Sequence, residues 1–156
     1  MRRLCASLLL FLSLAAPAGA GADPRPVGQV PLLPLGDGVH EDIDNLLAAH
    51  WRDHFNTNAE HAFGPDAVRV GRFDLNGDGK TELLLMVDAP GWNADPGSPF
   101  VVAQWIKQRW VAVGWGWGDE DTLFATDEVV GGWRSLDTGT QVLRWSGRDY
   151  GLTDKR

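Results

Sequence analysis

The stretch RFDLNGDGKTELLLMVD, residues 72–88, decides the fold, because an acidic turn within it joins two strand-like segments. The residues before the turn and the apolar run after it are of the types that favour strands. Gly77 and Gly79 permit the positive φ angles that a tight turn requires. The oxygen-bearing side chains of the turn are Asp74, Asn76, Asp78 and Glu82. The stretch therefore predicts two strands joined by a turn that is rich in oxygen ligands.

Calcium suits this turn, since Ca²⁺ takes about six to eight oxygen ligands in a flexible shell. The alternating acid and amide side chains supply three oxygens, the Lys80 carbonyl a fourth, and Glu82 a fifth or a bidentate pair. Without a cation, the carboxylates of Asp74, Asp78 and Glu82 would repel one another. The alternative is a metal-free turn whose Asp and Asn side chains accept bonds from nearby backbone amides. That alternative does not require an acid at the ninth position.

The turn does not have the pattern of an EF-hand loop. An EF-hand loop carries a bidentate acid at its twelfth position and lies between two helices. Counted from Asp74, the twelfth position is Leu85, within the apolar run, and the segment before Asp74 is strand-like. The loop is therefore predicted to close at its ninth position, with Glu82, and to join two strands.

The segment VGRFDLNGDGKTELLLMV, residues 70–87, resembles the FG-GAP or VCBS-type repeat of integrin-like β-propellers and of many exported bacterial proteins. Such repeats run strand, D-x-[DN]-x-D-G-x-x-[DE], strand, and bind calcium in the loop. The resemblance implies side-chain ligands at Asp74, Asn76, Asp78 and Glu82 and a backbone ligand at Lys80. Aspartate is commoner at the last of these positions, where this chain has a glutamate. The match covers this segment alone, so a complete propeller is not implied.

Residues 1–22 have the layout of a secretory signal peptide. Two arginines near the start precede an apolar run over residues 8–14, and small residues precede a cleavage site near Asp23. Cys5 lies within this segment, so the mature chain is expected to contain no cysteine. An exported chain without disulfides gains its stability from a core, a metal or both. We expect a periplasmic or secreted protein.

Removal of the signal segment makes the chain strongly acidic. The full sequence has 14 basic and 21 acidic residues, and loss of the two arginines gives a net charge of 12 − 21 = −9. Such a charge disfavours nucleic acid and anionic membranes as partners, and it suits divalent cations and basic protein surfaces. We expect no nucleic-acid function and no membrane span in the mature chain.

The mature chain has the length of one ordinary domain. Residues 23–39 are rich in proline and predict an extended leader, and residues 40–156 predict a single helix-plus-β domain. Apolar residues at helical spacing between His40 and Phe55 predict one amphipathic helix, which residues 56–58 end.

The rest of the chain predicts short strands separated by Gly, Asp, Asn and Pro. The predicted strands are residues 68–73, 82–87, 100–106, 110–115, 129–130, 133–136, 141–145 and 150–152. The hairpin-like segments 103–113 and 143–153 align with an offset of 143 − 103 = 40 residues, a period that is typical of propeller blades. We interpret them as two related hairpins in one antiparallel, mainly β (α+β) assembly.

Zinc is a second candidate metal, at the histidines. His50 and His54 stand four residues apart on the predicted helix, a spacing that zinc can use, and His61 offers a third ligand. The glutamate of a zinc peptidase motif is missing beside His50. Both helical histidines lie on or near the apolar face, which favours packed histidines over metal ligands.

The segment GWGWGDEDTLFATDE, residues 114–128, combines two tryptophans with five acids. Asp119 and Asp121 are candidates for glycoside hydrolysis, which needs two carboxylates about 5–9 Å apart in different environments. Acids so close in a glycine-flanked loop do not suggest that arrangement, and they favour a solvated loop or a partner surface. In the loop at residues 88–99, Asp88 or Asp95 could reach the calcium ion, although turn formation is the simpler interpretation.

The eight tryptophans are many for this length, and most of them are expected in the core. The candidates for an exposed partner-binding patch are Trp92, Trp115, Trp117, Asp119 and Asp121. The mature sequence shows no Ser-His-Asp order, phosphate loop or cysteine nucleophile, so it does not favour an enzyme.

The sequence as a whole favours an exported calcium-stabilised binding module, such as an inhibitor or immunity-type protein acting on an envelope enzyme. A carbohydrate-binding module with exposed tryptophans as its stacking platform is the alternative. A hydrolase that uses the acidic loop 119–121 ranks behind both.

Overall fold

The structure is a computed structural model of the chain, and it describes residues 24–36, 40–51 and 60–153. The predicted signal segment lies outside the described residues, as do His54 and the end of the predicted helix. Within the described ranges, one α-helix and ten strands form a mainly β fold. No helix in these ranges is long and apolar enough to cross a membrane.

The helix lies between the second and third strands of the chain. Its bounds are α1 (Glu41–His50). The strands are β1 (Pro26–Gln29), β2 (Leu32–Pro34), β3 (Val68–Phe73), β4 (Glu82–Val87), β5 (Ser98–Ile106), β6 (Arg109–Gly118), β7 (Phe124–Val130), β8 (Trp133–Asp137), β9 (Val142–Trp145) and β10 (Tyr150–Thr153). Short 3₁₀ turns lie at Pro65–Ala67 and Glu120–Thr122.

All ten strands belong to one sheet with the order β1-β7-β8-β9-β10-β6-β5-β4-β3-β2. The prediction of a purely antiparallel assembly is wrong at one place, since β10 pairs with β6 in parallel at Tyr150 and Gly114. The parallel pair arises because three strands, β7 to β9, intervene in the chain before β10 returns beside β6. β1 and β2 lie at opposite edges and are separated in the chain only by Val30 and Pro31. The sheet therefore curls until its two edges approach each other.

Each of the eight strands predicted from the sequence is present, and β3 and β4 have the predicted bounds. The segment predicted as an extended leader contributes β1 and β2, which pair with β7 and β3. Val30 and Leu32 of this segment are buried, which explains why it joins the sheet instead of remaining a linker. The two aligned hairpins are β5–β6 and β9–β10, and both lie in the one continuous sheet.

The curled sheet encloses the larger of two apolar clusters. Successive side chains of a strand point to opposite faces, and Leu84 and Met86 of β4 meet Phe100 and Val102 of β5 on the inner face. Leu75, from the turn after β3, lies fully buried in the same cluster. The inner core therefore includes a residue of the acidic turn itself.

Helix α1 covers the outer face of the sheet. Its Ile43, Leu46 and Leu47 lie in one cluster with Leu83 and Leu85 of β4, so β4 is buried on both faces. Three acidic residues in the first helical turn interact favourably with the helix dipole. The helix thus has the amphipathic role that the sequence predicts for it, up to the last described turn.

Candidate metal-binding turn and candidate partner surfaces

Asp74 organises the first half of the β3–β4 turn. Its Oδ1 accepts the backbone N–H of Gly77 at 2.7 Å, and its Oδ2 accepts that of Gly79 at 2.9 Å. The two glycines have φ angles of +72° and +82°, a conformation that residues with a side chain rarely adopt. The sequence predicts that these glycines let the backbone turn around an ion. In the structure the backbone turns around the Asp74 carboxylate.

In the second half of the turn, side-chain oxygens again accept backbone amides, here from the residue two positions later in the chain. Asn76 Oδ1 accepts the Asp78 amide at 2.9 Å, and Asp78 Oδ1 accepts the Lys80 amide at 2.8 Å. These hydrogen bonds are the ones expected for a metal-free turn. They do not exclude a cation, because a carboxylate or amide oxygen that accepts one hydrogen bond retains a second lone pair.

Glu82 differs from the other acids of the turn because it is buried, with only 2% of its surface exposed. Its Oε2 accepts the Leu75 amide at 2.8 Å, and its Oε1 lies 3.3 Å from Asn76 Nδ2. Burial raises the pKa of Glu82 to about 6, and the negative charges of Asp78 and Asp74 act in the same direction. Neither of the ion pairs found among the described residues involves these carboxylates. The charged form of Glu82 is therefore destabilised where it lies.

The donors of the turn are chemically suited to a hard cation. In the part of the chain that the structure describes, no three or more His, Cys, Asp or Glu side chains converge as a metal site. The carboxylates of Asp74, Asp78 and Glu82 therefore do not converge on one point in this structure, and the candidate set also includes the Asn76 side chain and the Lys80 carbonyl. All of these donors are oxygens, which suit Ca²⁺ better than they suit a transition metal.

Leu75 connects the turn to the rest of the fold. Its side chain is fully buried in the inner cluster, and its carbonyl accepts the Arg134 amide of β8 at 2.8 Å. Trp133, the neighbour of Arg134, stacks on Trp145 with ring centroids 4.3 Å apart and an interplanar angle of 15°. The turn therefore folds over one end of the curled sheet and places a leucine in the core there.

Two of the described histidines, His50 and His61, have aromatic neighbours. The ring of His50 lies 4.8 Å from that of Trp115 and 6.3 Å from that of Trp51, each in an edge-to-face contact. Burial lowers the pKa of His50. His61 contacts Trp92, with ring centroids 6.2 Å apart. These contacts agree with packed histidines, and His54, the other half of the predicted zinc pair, lies outside the described residues.

The three candidate tryptophans of the partner patch have different environments. Trp92 is half-buried, its Nε1 donates a hydrogen bond to the His61 carbonyl at 2.8 Å, and its ring meets Phe63 edge to face. Trp115 is 41% exposed and packs against helix-end residue Trp51, with ring centroids 5.1 Å apart. Trp117 is half-buried, two residues further along the same face of β6. Of the three, Trp115 offers the largest free surface.

Asp119 and Asp121 lie at the opposite end of the sheet from the acidic turn, beside a cavity of about 420 Å³. The carboxylates around this cavity are those of Asp88, Asp95, Asp119, Glu120 and Asp121. Asp119 caps the 3₁₀ turn that follows it by accepting the Thr122 amide. Asp88 accepts hydrogen bonds from Asn93 and Ser98.

The structure does not support a role for Asp88 or Asp95 at the acidic turn. Strand β4 begins at Glu82 and ends at Val87, so Asp88 follows its far end. A strand of this length extends by about 3.3 Å per residue, which separates the two ends by roughly 17 Å. These aspartates therefore belong to the acidic cavity and not to the candidate calcium ligands.

Exposed apolar side chains at the tip of the β5–β6 hairpin are a feature that the sequence did not lead us to predict. Trp105 is 47% exposed and Ile106 is 38% exposed. Lys107 and Gln108, which follow, have positive φ angles of 50° and 63°. The signal that could have located this feature is the pair of polar residues, Lys107 and Gln108, at the centre of a short turn flanked by Trp105 and Trp110.

Comparisons of the chain with family models, with curated proteins and with solved structures find no match. The likeness of the acidic turn to the FG-GAP or VCBS-type repeat therefore stays a resemblance of one segment, and the function is inferred from the geometry above.

Proposed function

We propose that this protein is an exported binding module whose β3–β4 turn holds a structural calcium ion. The observation that carries the calcium proposal is Glu82, a carboxylate that is 2% exposed and lies beside the acids Asp74 and Asp78. Burying a charge without an opposite charge beside it is costly even where hydrogen bonds are made, and a divalent cation reduces that cost by direct coordination. Calcium supplies two positive charges against the three negative charges of the turn.

The proposed ligands come from one continuous segment. They are the side chains of Asp74, Asn76, Asp78 and Glu82 and the carbonyl of Lys80. The left-handed conformations of Gly77 and Gly79 support this proposal, since they direct the intervening backbone around the acidic side chains. The first acid of the set already has both carboxylate oxygens directed into the turn, where they accept backbone N–H groups.

We propose a structural role for the ion because of Leu75. This residue lies between two proposed ligands, its amide bonds to Glu82, and its side chain fills one end of the core. An ion that binds the folded turn and not the unfolded chain stabilises the fold by mass action, by about 2.7 kcal/mol at a hundredfold excess over Kd. Calcium in this position would replace the disulfides that the mature chain lacks.

The calcium proposal is tested by direct binding and by thermal unfolding. Isothermal titration of the mature domain should give one site, and added calcium should raise the melting temperature while EDTA reverses the change. Asp74→Asn should weaken binding, because it removes a charged oxygen from the ligand set. Asp95→Asn, at the opposite end of the sheet, is the matched control. An unchanged melting temperature together with no heat of binding would exclude the site.

We further propose that the module binds a protein of the cell envelope, as an inhibitor or immunity-type protein would. Trp115 supports this proposal, since it is a large aromatic side chain that is exposed beside the helix end, and tryptophan is enriched at interface hot spots. Trp92 gives less support to a stacking platform for sugars, because it is half-buried and its ring packs against His61 and Phe63.

The binding proposal is tested by comparing Trp115→Ala and Asp119→Ala with the unaltered protein in a pulldown from an envelope extract. Loss of a specific, saturable partner with Trp115→Ala supports a protein interface on β6. Retention of binding in both variants would remove this surface from the proposal. Titration with a panel of soluble oligosaccharides tests the alternative, and saturable binding there would favour the carbohydrate-binding module.

A further inference from the structure

The acidic turn contains the one place in the sequence where a glycine follows an asparagine, at Asn76 and Gly77. The other asparagines precede leucine, threonine or alanine, and they are Asn45, Asn56, Asn58 and Asn93. A peptide nitrogen can attack the side-chain amide of the asparagine before it, and a side chain on the following residue hinders that approach. Glycine has no side chain and adopts the widest range of backbone conformations. The sequence therefore distinguishes Asn76 from the other asparagines for this reaction.

The side chain of Asn76 is turned toward the backbone that follows it. Its Oδ1 accepts the Asp78 amide at 2.9 Å, which is the hydrogen bond of an Asx-turn. The ring that this bond closes contains both the side-chain carbonyl carbon Cγ of Asn76 and the backbone nitrogen of Gly77. The two atoms that the reaction joins therefore belong to one small ring, which limits how far apart they can move.

The hydrogen bonds of the reacting groups suit the same step. The Gly77 N–H donates to Asp74 Oδ1 at 2.7 Å, so the proton that must leave this nitrogen faces a carboxylate. The departing nitrogen, Asn76 Nδ2, lies 3.3 Å from Glu82 Oε1 and 3.4 Å from Asp78 Oδ2. Both distances are longer than the usual N–H···O separation of about 2.9–3.0 Å. The departing nitrogen is therefore held only weakly.

Gly77 lies on the solvent side of the turn. It is exposed, and no atom lies within 4 Å of the position that a Cβ would take. The backbone therefore has room to adjust as the new ring closes, and water can reach the product.

We propose that Asn76 is a site of spontaneous deamidation in the folded protein. The Gly77 nitrogen forms a bond to Asn76 Cγ, and the bond between Cγ and Nδ2 breaks. The Gly77 proton leaves by way of Asp74 and water, and the departing group takes up one proton and is released as ammonia. The product is a succinimide. Water then adds to either of its carbonyl carbons, and the ring opens to aspartate or isoaspartate at position 76.

The reaction changes the charge and the backbone of the turn. Aspartate at position 76 adds a carboxylate beside those of Asp74, Asp78 and Glu82, which increases their repulsion in the absence of a cation. Isoaspartate adds one carbon to the backbone, which displaces the residues after position 76 relative to those before it. The inference goes beyond the proposed calcium site, since the reaction needs no metal and takes place whether or not the turn binds one.

The test is incubation of the folded protein at neutral pH in EDTA, followed by trypsin digestion and mass spectrometry. Cleavage after Arg72 and Lys80 releases residues 73–80, in which Asn76 is the only amide side chain. We expect this peptide to lose one ammonia and gain one water at least about tenfold faster than Asn93 does. A sample digested without incubation corrects for reaction during the digest.

Asn93 is the internal control. It is exposed, whereas Asn76 is half-buried, so solvent access alone predicts the opposite order of rates. Asn93 precedes alanine, and its Nδ2 donates a hydrogen bond of 2.9 Å to Asp88. Fragment ions assign the mass change to the individual residue.

Three variants test the assignment to these atoms. Asn76→Gln should abolish the mass change in residues 73–80, because the longer side chain must close a larger ring. Gly77→Ala should slow the reaction about tenfold, since the added methyl group hinders the attacking nitrogen. Gly64→Ala, the same change at another glycine in open space, should leave the rate unchanged. Circular dichroism verifies the fold of each variant, and Asn76→Gln carries the test if the φ of +72° at Gly77 prevents Gly77→Ala from folding.

Several results would overturn the proposal. These are a rate at Asn76 no higher than that at Asn93, or the same mass change in Asn76→Gln. The incubation is repeated at denaturant concentrations below the unfolding transition, where reaction in the folded turn predicts an unchanged rate. A rate that rises in proportion to the unfolded fraction would assign the reaction to the unfolded chain and equally refute the proposal. Calcium is absent throughout, so failure of this proposal and failure of the calcium site are distinguishable.

Discussion

Replacing Glu82 by Gln should stabilise the calcium-free protein and destabilise the calcium-loaded one. Glutamine has nearly the same shape as glutamate, and its carbonyl oxygen can still accept the Leu75 amide that Glu82 accepts at 2.8 Å. It removes the buried charge beside Asp74 and Asp78. In EDTA at neutral pH the substitution therefore removes the free-energy cost of the buried charge, whereas in calcium it removes a proposed ligand.

The magnitude follows from the pKa of Glu82, which burial raises from 4.5 to about 6. At about 1.36 kcal/mol per pKa unit, this difference corresponds to about 2 kcal/mol. Because the folded pKa lies above the unfolded one, the folded state binds the proton more tightly. The calcium-free protein is therefore most stable below pH 4.5, loses about 2 kcal/mol as pH rises to about 6, and changes little from this group above that.

The assay is urea unfolding of the wild type and Glu82→Gln at pH 4.5 and pH 7, in EDTA and in excess calcium. In EDTA the two proteins should have similar stability at the lower pH, and the variant should be more stable by up to about 2 kcal/mol at pH 7. In calcium the order should reverse, because the wild type alone gains the binding free energy in full. Glu60→Gln, at an exposed position, is the matched control and should change stability by less than about 0.5 kcal/mol.

Two results would refute this reasoning in separate ways. If Glu82→Gln is less stable than the wild type at pH 7 in EDTA, Glu82 is not a destabilised charge. If calcium stabilises the variant as much as the wild type, Glu82 is not a ligand, and the ion binds elsewhere or through the other donors alone.

Three further predictions concern the turn and its supports, each measured by chemical unfolding. Leu75→Ala should lower the free energy of unfolding by about 2–5 kcal/mol, because it leaves a cavity at one end of the core. Leu33→Ala, at a 65% exposed position, should lower it far less. Equal losses would contradict the role of the turn in the core. Gly79→Ala should lower the free energy of unfolding by about 1 kcal/mol or more, since Gly79 has a φ of +82° with open space around it. Gly64 also lies in open space but has a φ of −96°, so Gly64→Ala should leave stability nearly unchanged. Trp110→Phe removes the hydrogen bond to helix α1 and should cost about 1 kcal/mol; no change would show that this bond does not hold the helix.

Local patterns in the sequence were sufficient for the elements that depend on neighbouring residues. β3 and β4 have the predicted bounds, because an alternating segment before and a continuous apolar run after flank an acidic turn with two glycines. The hairpin β5–β6 was predicted for the same reason, since two strands with aromatic ends flank a short polar turn. In each case the strand partner is the next segment of the chain, so pairing needs little information from elsewhere.

The pairing of strands that are far apart in the chain could not be predicted from local sequence patterns. The proline-rich segment before the helix showed little periodicity, yet it supplies β1 and β2 at the two edges of the sheet. The parallel contact of β10 with β6 also joins segments far apart in the chain. Each depends on which edge remains free after the hairpins have formed, and no local residue pattern carries that information.

The sequence by itself determined an acidic turn between two strands, with oxygen donors at the spacing that calcium uses. Only the tertiary structure decided which of these acids is buried, where the aspartates of the following loop lie, and which tryptophans face solvent. The physical reason is that burial and electrostatic cost depend on what the whole sheet encloses. Glu82 lies against the core because Leu75 and β8 close that end of the sheet, and Trp105 stays exposed because it projects beyond the residues that helix α1 covers.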